Sequence, residues 1–259
     1  MKHHLTSTPQ DLLNKVPAIT LGFWLIKIMT TTVGETVADY LAVNAGWGQA
    51  STRIAMGLLL LGALTLQMRS RRCQPALYWC TVVLVSVVGT QITDALTDGL
   101  GVSLYLSTGA FTVLLLLTFG LWFRSEKTLS ITTIDTPKRE TYYWLAILCT
   151  FALGTAAGDL ATEAIGLGFQ MGVGVFGVLI ALTALAYRMG VHPVLTFWLA
   201  YILTRPLGAA LGDLLTQAPE YGGLGLGAQW TSVLFLSVIS VLVGLTHVQT
   251  QRASALASS

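Results

Sequence analysis

The chain has 259 residues, of which 54% are hydrophobic and only 10% charged, and its formal net charge is +2. A soluble domain carries about 25% charged residues, so this chain has too little polar surface to cover itself and reads as an all-α polytopic membrane protein. No nucleic-acid motif and no basic amphipathic helix is present, which excludes a nucleic-acid partner. Cys73, Cys80 and Cys149 form no C-x-x-C pair and supply neither a disulfide framework nor a zinc site.

The polar N-terminal stretch, including His3 and His4, has no metal-ligand pattern. The apolar run that follows lacks an A-x-A cleavage site, so it is expected to be a retained helix. A spanning helix needs roughly 20 mainly apolar residues. In chain order the expected spans are about 17–43, 52–68, 76–98, 105–123, 142–165, 171–188, 193–216 and 228–248. The apolar runs are continuous and too long for the alternating segments of a barrel. One polar segment, 124–141, is expected to be a cytoplasmic linker. It separates a first four-helix half (1–123, with repeats at about 17–70 and 75–123) from a second (142–259, with repeats at about 142–190 and 193–248).

Under this layout Lys2, Lys15, Arg69, Arg71, Arg72, Arg124, Lys127, Lys138, Arg139, Arg188 and Arg252 fall on one side, and Arg53 alone on the other. The positive-inside rule then puts both termini in the cytoplasm of a multi-pass protein of the bacterial inner (plasma) membrane. Lys27 and Arg205 lie within spans.

The chain repeats itself. Ten residues after Trp24, Trp79, Trp144 and Trp198 stand Gly34, Gly89, Gly154 and Gly208; five further on stand Asp39, Asp94, Asp159 and Asp213. The pattern W-x9-G-x4-D thus occurs four times with no insertion inside it. Three residues beyond the last three aspartates come Thr97, Thr162 and Thr216, and four beyond all of them come Val43, Asp98, Glu163 and Gln217. Each unit holds an acid-bearing helix and a plain one, so all four enter the membrane in the same sense, as parallel repeats. Fifteen residues from Trp to Asp rise about 22 Å. With the tryptophans as anchors at the cytoplasmic interface, the aspartates lie at one depth in the outer half, where a pseudo-fourfold or nested twofold axis would gather them.

These four units, and above all 23-FWLIKIMTTTVGETVADYL-41, resemble the bacterial uncharacterised membrane-anchored proteins built from four tandem two-helix repeats of unknown function. The resemblance spans nearly the whole chain. It implies the architecture of eight transmembrane helices as four parallel two-helix repeats, and it implies no activity.

Function is therefore read from the residues. Glu35, Asp39, Asp94, Asp98, Asp159, Glu163 and Asp213 lie in or at the ends of spans, opposed there only by Lys27 and Arg205. A charged side chain at the centre of a spanning helix costs roughly 2.5–3.5 kcal/mol on insertion scales, so this set must be protonated, paired, hydrated or neutralised by a bound cation. Lys27, Thr31, Glu35 and Asp39 follow at i, i+4 steps and form one polar stripe. Asp94 with Asp98, and Asp159 with Glu163, repeat that spacing. Carboxylates on adjacent turns can share a hard cation such as Mn²⁺, with Thr97, Thr162 and Thr216 adding oxygens. Asp39, Asp94, Asp159 and Asp213 are the expected metal ligands, and protons compete for the same atoms. Arg205 precedes Pro206 and is expected to act either as a structural partner of an acid from another repeat or as a gating counter-ion.

The expected function is thus secondary transport of a divalent cation, with Mn²⁺ export first, coupled to protons through the intramembrane carboxylates. The alternatives are a proton-coupled transporter of a small organic cation, with Phe197, Trp198 and Tyr201 beside the cargo, and a non-transporting structural membrane protein. H-E-x-x-H, G-x-S-x-G and G-x-G-D are all absent, so no enzyme is expected. No tightly bound cofactor is expected either. The expected partners are the lipid bilayer and the cation itself; the sequence assigns no oligomeric state.

Overall fold

The computed structural model describes residues 14–41 and 48–257; the side chains of Asp39 and of residues 248–257 lie outside that description. Lys2, His3, His4, Val43 and Arg252, each named above, are therefore outside it too. Eight long helices make up the described chain: α1 (Leu21–Asp39), α2 (Gln49–Arg69), α3 (Pro75–Asp94), α4 (Leu104–Glu126), α5 (Pro137–Asp159), α6 (Gly168–Arg188), α7 (Pro193–Thr216) and α8 (Ala228–Ala257).

Helix starts follow local chemistry. Thr20, Ser103 and Thr136 cap α1, α4 and α5 by accepting from the backbone N–H three residues on. Proline opens α3, α5 and α7, where its missing N–H costs nothing. The segment between the halves is shorter than the polar composition of 124–141 suggests. Arg124–Glu126 complete the last turn of α4, and Pro137 already starts α5.

The odd helices form a ring: α1 packs on α3, α3 on α5, α5 on α7, and α7 back on α1. The even helices stand outside it, α2 on α3, α4 on α5, α6 on α7 and α8 on α1. Each plain helix thus braces the acid-bearing helix of the next repeat. The ring closes through the repeat glycines. A Cβ on Gly34 would collide with Ser86, one on Gly208 with Thr31, one on Gly89 would lie 2.7 Å from Phe151 Cβ, and one on Gly154 2.5 Å from Arg205 Cβ. All four partners, Thr31, Ser86, Phe151 and Arg205, lie seven residues after their own tryptophan. One crossing is therefore used four times, which is the pseudo-fourfold arrangement.

Seven of the helices are long and apolar enough to cross a membrane. The exception is α1, which carries Lys27, Glu35, Asp39 and four threonines. Unlike a water-soluble bundle, this one turns apolar side chains outward as well as inward. The spans of α3, α5 and α7 bury most of their length, whereas those of α2, α4, α6 and α8 bury less than a quarter. Leu58, Leu116, Leu182 and Leu245 each expose more than half of their surface, and apolar patches so extensive are suited to contact with a bilayer.

The tryptophans depart from expectation. Trp79, Trp144 and Trp198 are buried inside the bundle and Trp24 is half-buried, so they are not interface anchors. With Phe23, Tyr78, Tyr143 and Phe197 they build a continuous aromatic floor: Phe23 meets Trp79 at 5.1 Å, Tyr78 meets Trp144 at 5.6 Å and Phe197 meets Trp198 at 5.3 Å between ring centroids. The Tyr78 and Tyr143 hydroxyls share a hydrogen bond of 2.5 Å.

Beneath that floor the chain seals its own end. Lys15 is buried, forms a 2.5 Å ion pair with buried Glu140, and donates to the Met68 carbonyl. Its backbone N–H donates to Ile134, whose own N–H donates to the Asn14 side chain. Ile131 and Ile134 are buried, and the Trp198 indole N–H donates to the Leu129 carbonyl. The connection between the halves is thus a packed cover and not a free linker.

Candidate functional site

At the opposite end, the last turns of the odd helices open into a cavity of about 540 Å³. Six of the acids singled out in the sequence line it: Glu35, Asp94, Asp98, Asp159, Glu163 and Asp213. The side chain of the seventh, Asp39, lies outside the described residues. The six form three tiers. Glu35, at 9% exposure, is the base; Asp94, Asp159 and Asp213 are half-buried above it; Asp98 and Glu163 are exposed at the rim.

The tiers have a local cause. Immediately after Asp94 and Asp159 the helices widen into π turns, Ala95–Gly99 and Leu160–Ala164, and Tyr40 and Leu41 do the same after Asp39. Single π turns concentrate at functional sites. Here they loosen the helix ends and carry Asp98 and Glu163 to the mouth. α7 keeps its α-helical form to Thr216 and offers Gln217 in the corresponding place. From α2 come Gln49 and Arg53, joined to each other at 2.6 Å.

At the base, Arg205 crosses from α7. Its Nη2 meets Glu35 Oε2 at 2.6 Å and donates to the Thr90 hydroxyl, while Nη1 donates to the Thr31 carbonyl at 3.2 Å. Arg205 is fully buried, and Gly154 leaves the space that its Cβ and Cγ fill. Glu35 therefore neutralises Arg205 from another repeat and not Lys27 on its own helix. Lys27 lies deeper, fully buried, with its ammonium over the rings of Phe151 at 4.0 Å and Tyr201 at 4.3 Å and no hydrogen-bond acceptor. Aromatic faces attract a cation, and these rings stand where an acid would otherwise be needed.

The threonines separate. Thr97 lines the cavity, and its hydroxyl has the Thr93 carbonyl at 3.1 Å and Asp98 Oδ1 at 3.3 Å as alternative acceptors. Thr31 contributes its carbonyl to Arg205, while its hydroxyl donates to the Ile28 carbonyl. Thr162 is buried, bonded to the Gly158 carbonyl, and does not line the cavity; nor does Thr216. Neither supplies an oxygen to the site. Of the four proposed metal ligands, Asp94, Asp159 and Asp213 share the cavity wall. Among the described residues, however, no three Asp, Glu, His or Cys side chains stand close enough to hold a metal ion together.

Such a fourfold pattern is a family trait. The family described as Repeat of Unknown Function (DUF347) matches residues 22–73, 77–128, 142–190 and 196–252, well over half of the chain. The chain belongs to this family. Each matched DUF347 repeat begins two residues before its tryptophan, so the ring glycine and the aspartate five residues after it occupy one register in all four. Comparison with curated proteins and with solved structures gave no match.

Several residues of the site escaped sequence reasoning. Gln91 and Thr90 stand near the end of α3 and neither is charged; Thr90 recurs only as Thr155 in the third unit, and Gln91 has no counterpart in the others. Arg53 and Gln49 read as the ordinary start of an outer helix. For Gln91 the available signal was its place one turn before Asp94, on an inner helix with few other polar side chains of its size.

Proposed function

We propose that the chain is a multi-pass plasma-membrane protein that transports cations through the acid-lined cavity, which opens at its outer face. The convergence of carboxylates from all four repeats on one cavity, open at one end of a bundle sealed at the other, carries this reading. The outward-facing leucines supply the lipid-facing surface. Arg69, Arg71, Arg72, Arg124, Lys138, Arg139 and Arg188 all belong to the sealed end, which the positive-inside rule assigns to the cytoplasm together with both termini.

On this reading the three tiers act in turn. Asp94, Asp159 and Asp213 hold the cation, Asp98 and Glu163 line its way to the mouth, and protons compete for the same oxygens, which couples the two flows. A hard divalent ion such as Mn²⁺, exported in exchange for protons, suits an all-oxygen lining. The dispersed carboxylates favour an ion that keeps part of its hydration shell. One observation supports a second cargo class: a cavity of about 540 Å³ whose acids form no close triad also fits a small organic cation.

The test is flux. Purified protein in liposomes, with an internal Mn²⁺ indicator and a pH dye, is expected to move both ions in opposite directions, and methylammonium in place of Mn²⁺ distinguishes the second cargo class. Failure of every cation and of protons to move would overturn the proposal.

A further inference from the structure

Beyond the carboxylates, the base of the cavity holds an unused acceptor. Gln91 is 6% exposed and lines the cavity, yet its Oε1 has no hydrogen-bond partner. A buried amide oxygen without a donor is costly and is a good ligand for a cation. Glu35, whose Oε2 is taken by Arg205, lines the same cavity. The guanidinium is itself incompletely satisfied, because its Nε is buried without a partner. Arg205 thus sits as a permanently charged group at the junction of the open cavity and the closed core, and only its side-chain tip engages the acid.

We propose that Glu35 and the Gln91 amide oxygen form a cation site at the base of the cavity, and that Arg205 is its tethered resident, which an incoming cation must displace. This rests on the cation-transport reading and assigns its innermost step. With no cargo, Arg205 neutralises Glu35 and closes the path. A cation passing between the aspartate tier and this site exchanges one ionic partner of Glu35 for another, so the carboxylate is never left buried and uncompensated. The released guanidinium keeps the Thr31 carbonyl and the Thr90 hydroxyl as acceptors. One carboxylate, one amide oxygen and a nearby hydroxyl suit a partly hydrated divalent ion or an ammonium head group. The shared chemistry is a compact cation.

The experiment is a calorimetric titration of the full chain in nanodiscs with MnCl2 and, separately, with methylammonium chloride. A site occupied by its own competitor binds more weakly by the fraction of time it is free. Arg205→Gln should therefore bind at least one probe about tenfold or more tightly than wild type. The gain must vanish when Glu35→Gln is added. A general loss of positive charge would strengthen binding in both backgrounds, whereas competition for Glu35 cannot.

If Arg205→Gln does not fold, Arg205→Lys keeps the charge while losing the planar fork, and it should give a smaller gain in the same direction. An unchanged or weaker affinity in the folded variant, or a gain that survives Glu35→Gln, overturns the tether while leaving the cation-transport reading standing. If neither probe binds wild type nor either variant, the cation-transport reading fails with it.

Discussion

Gly154→Ala probes the joint on which both the ring and the cavity base depend. The added Cβ would lie 2.5 Å from Arg205 Cβ and Cγ and 3.1 Å from Pro206 Cδ. These are atoms at the root of a side chain and in a ring, not a flexible tip that can swing aside. Overpacking of this kind costs about 1–3 kcal/mol. Any displacement of α7 large enough to relieve it also draws Arg205 from Glu35, and breaking a buried pair costs about 3–5 kcal/mol. A loss of about 2–5 kcal/mol is expected, the upper part applying if the ion pair opens. Gly57→Ala on α2 is the control, since nothing lies within 4 Å of its added Cβ. It should gain up to about 1 kcal/mol from helix propensity. The assay is thermal unfolding in one detergent, followed by circular dichroism and by tryptophan fluorescence. Equal midpoints for Gly154→Ala and Gly57→Ala would refute the close crossing of α5 and α7, and with it the closed ring.

Other perturbations test separate layers. Glu140→Gln should leave Lys15 buried without a counter-ion and destabilise the sealed end by about 3–5 kcal/mol, read as a lowered thermal midpoint; no change would mean that the cover is not packed. Lys27→Met replaces an ammonium without hydrogen-bond acceptors by an apolar chain of similar length, and should preserve or raise the midpoint; marked destabilisation would show that the contacts with Phe151 and Tyr201 outweigh desolvation. Burial pushes the Cys73 thiol up to about 11, so little thiolate forms at pH 8. Its alkylation by iodoacetamide should run about two orders of magnitude below a free thiol and accelerate as pH rises towards 11. Rapid labelling at pH 8 would contradict that environment.

The repeat register was legible because it is carried by identity: tryptophan, glycine and aspartate recur at fixed intervals, and a period of residues survives whatever the helices pack against. Helix positions were legible for the same reason, since long apolar runs have few other uses. The partner of each glycine was not, because the seventh residue after the tryptophan is Thr31, Ser86, Phe151 or Arg205, four different chemistries in one structural place. The pairing of Arg205 with Glu35 joins residues 170 apart, and nothing local announces it. The π turns were hidden too, since they change hydrogen bonding after Asp94 and Asp159 without altering composition. The tryptophans misled because a large amphipathic ring suits both a lipid interface and an aromatic core; in one register on the inner helices they meet Phe23, Tyr78, Tyr143 and Phe197. The carboxylates were found by their cost in an apolar helix, whereas uncharged Gln91 raised no such signal.

Direct binding tests the central claim most plainly. Wild type in nanodiscs, titrated with MnCl2 and with methylammonium chloride, should bind at least one of them saturably. Replacing Asp94, Asp159 and Asp213 together by asparagine should abolish that binding while the helical circular dichroism is unchanged. Undiminished affinity in the folded triple variant would contradict the assignment of the cavity as the cation site.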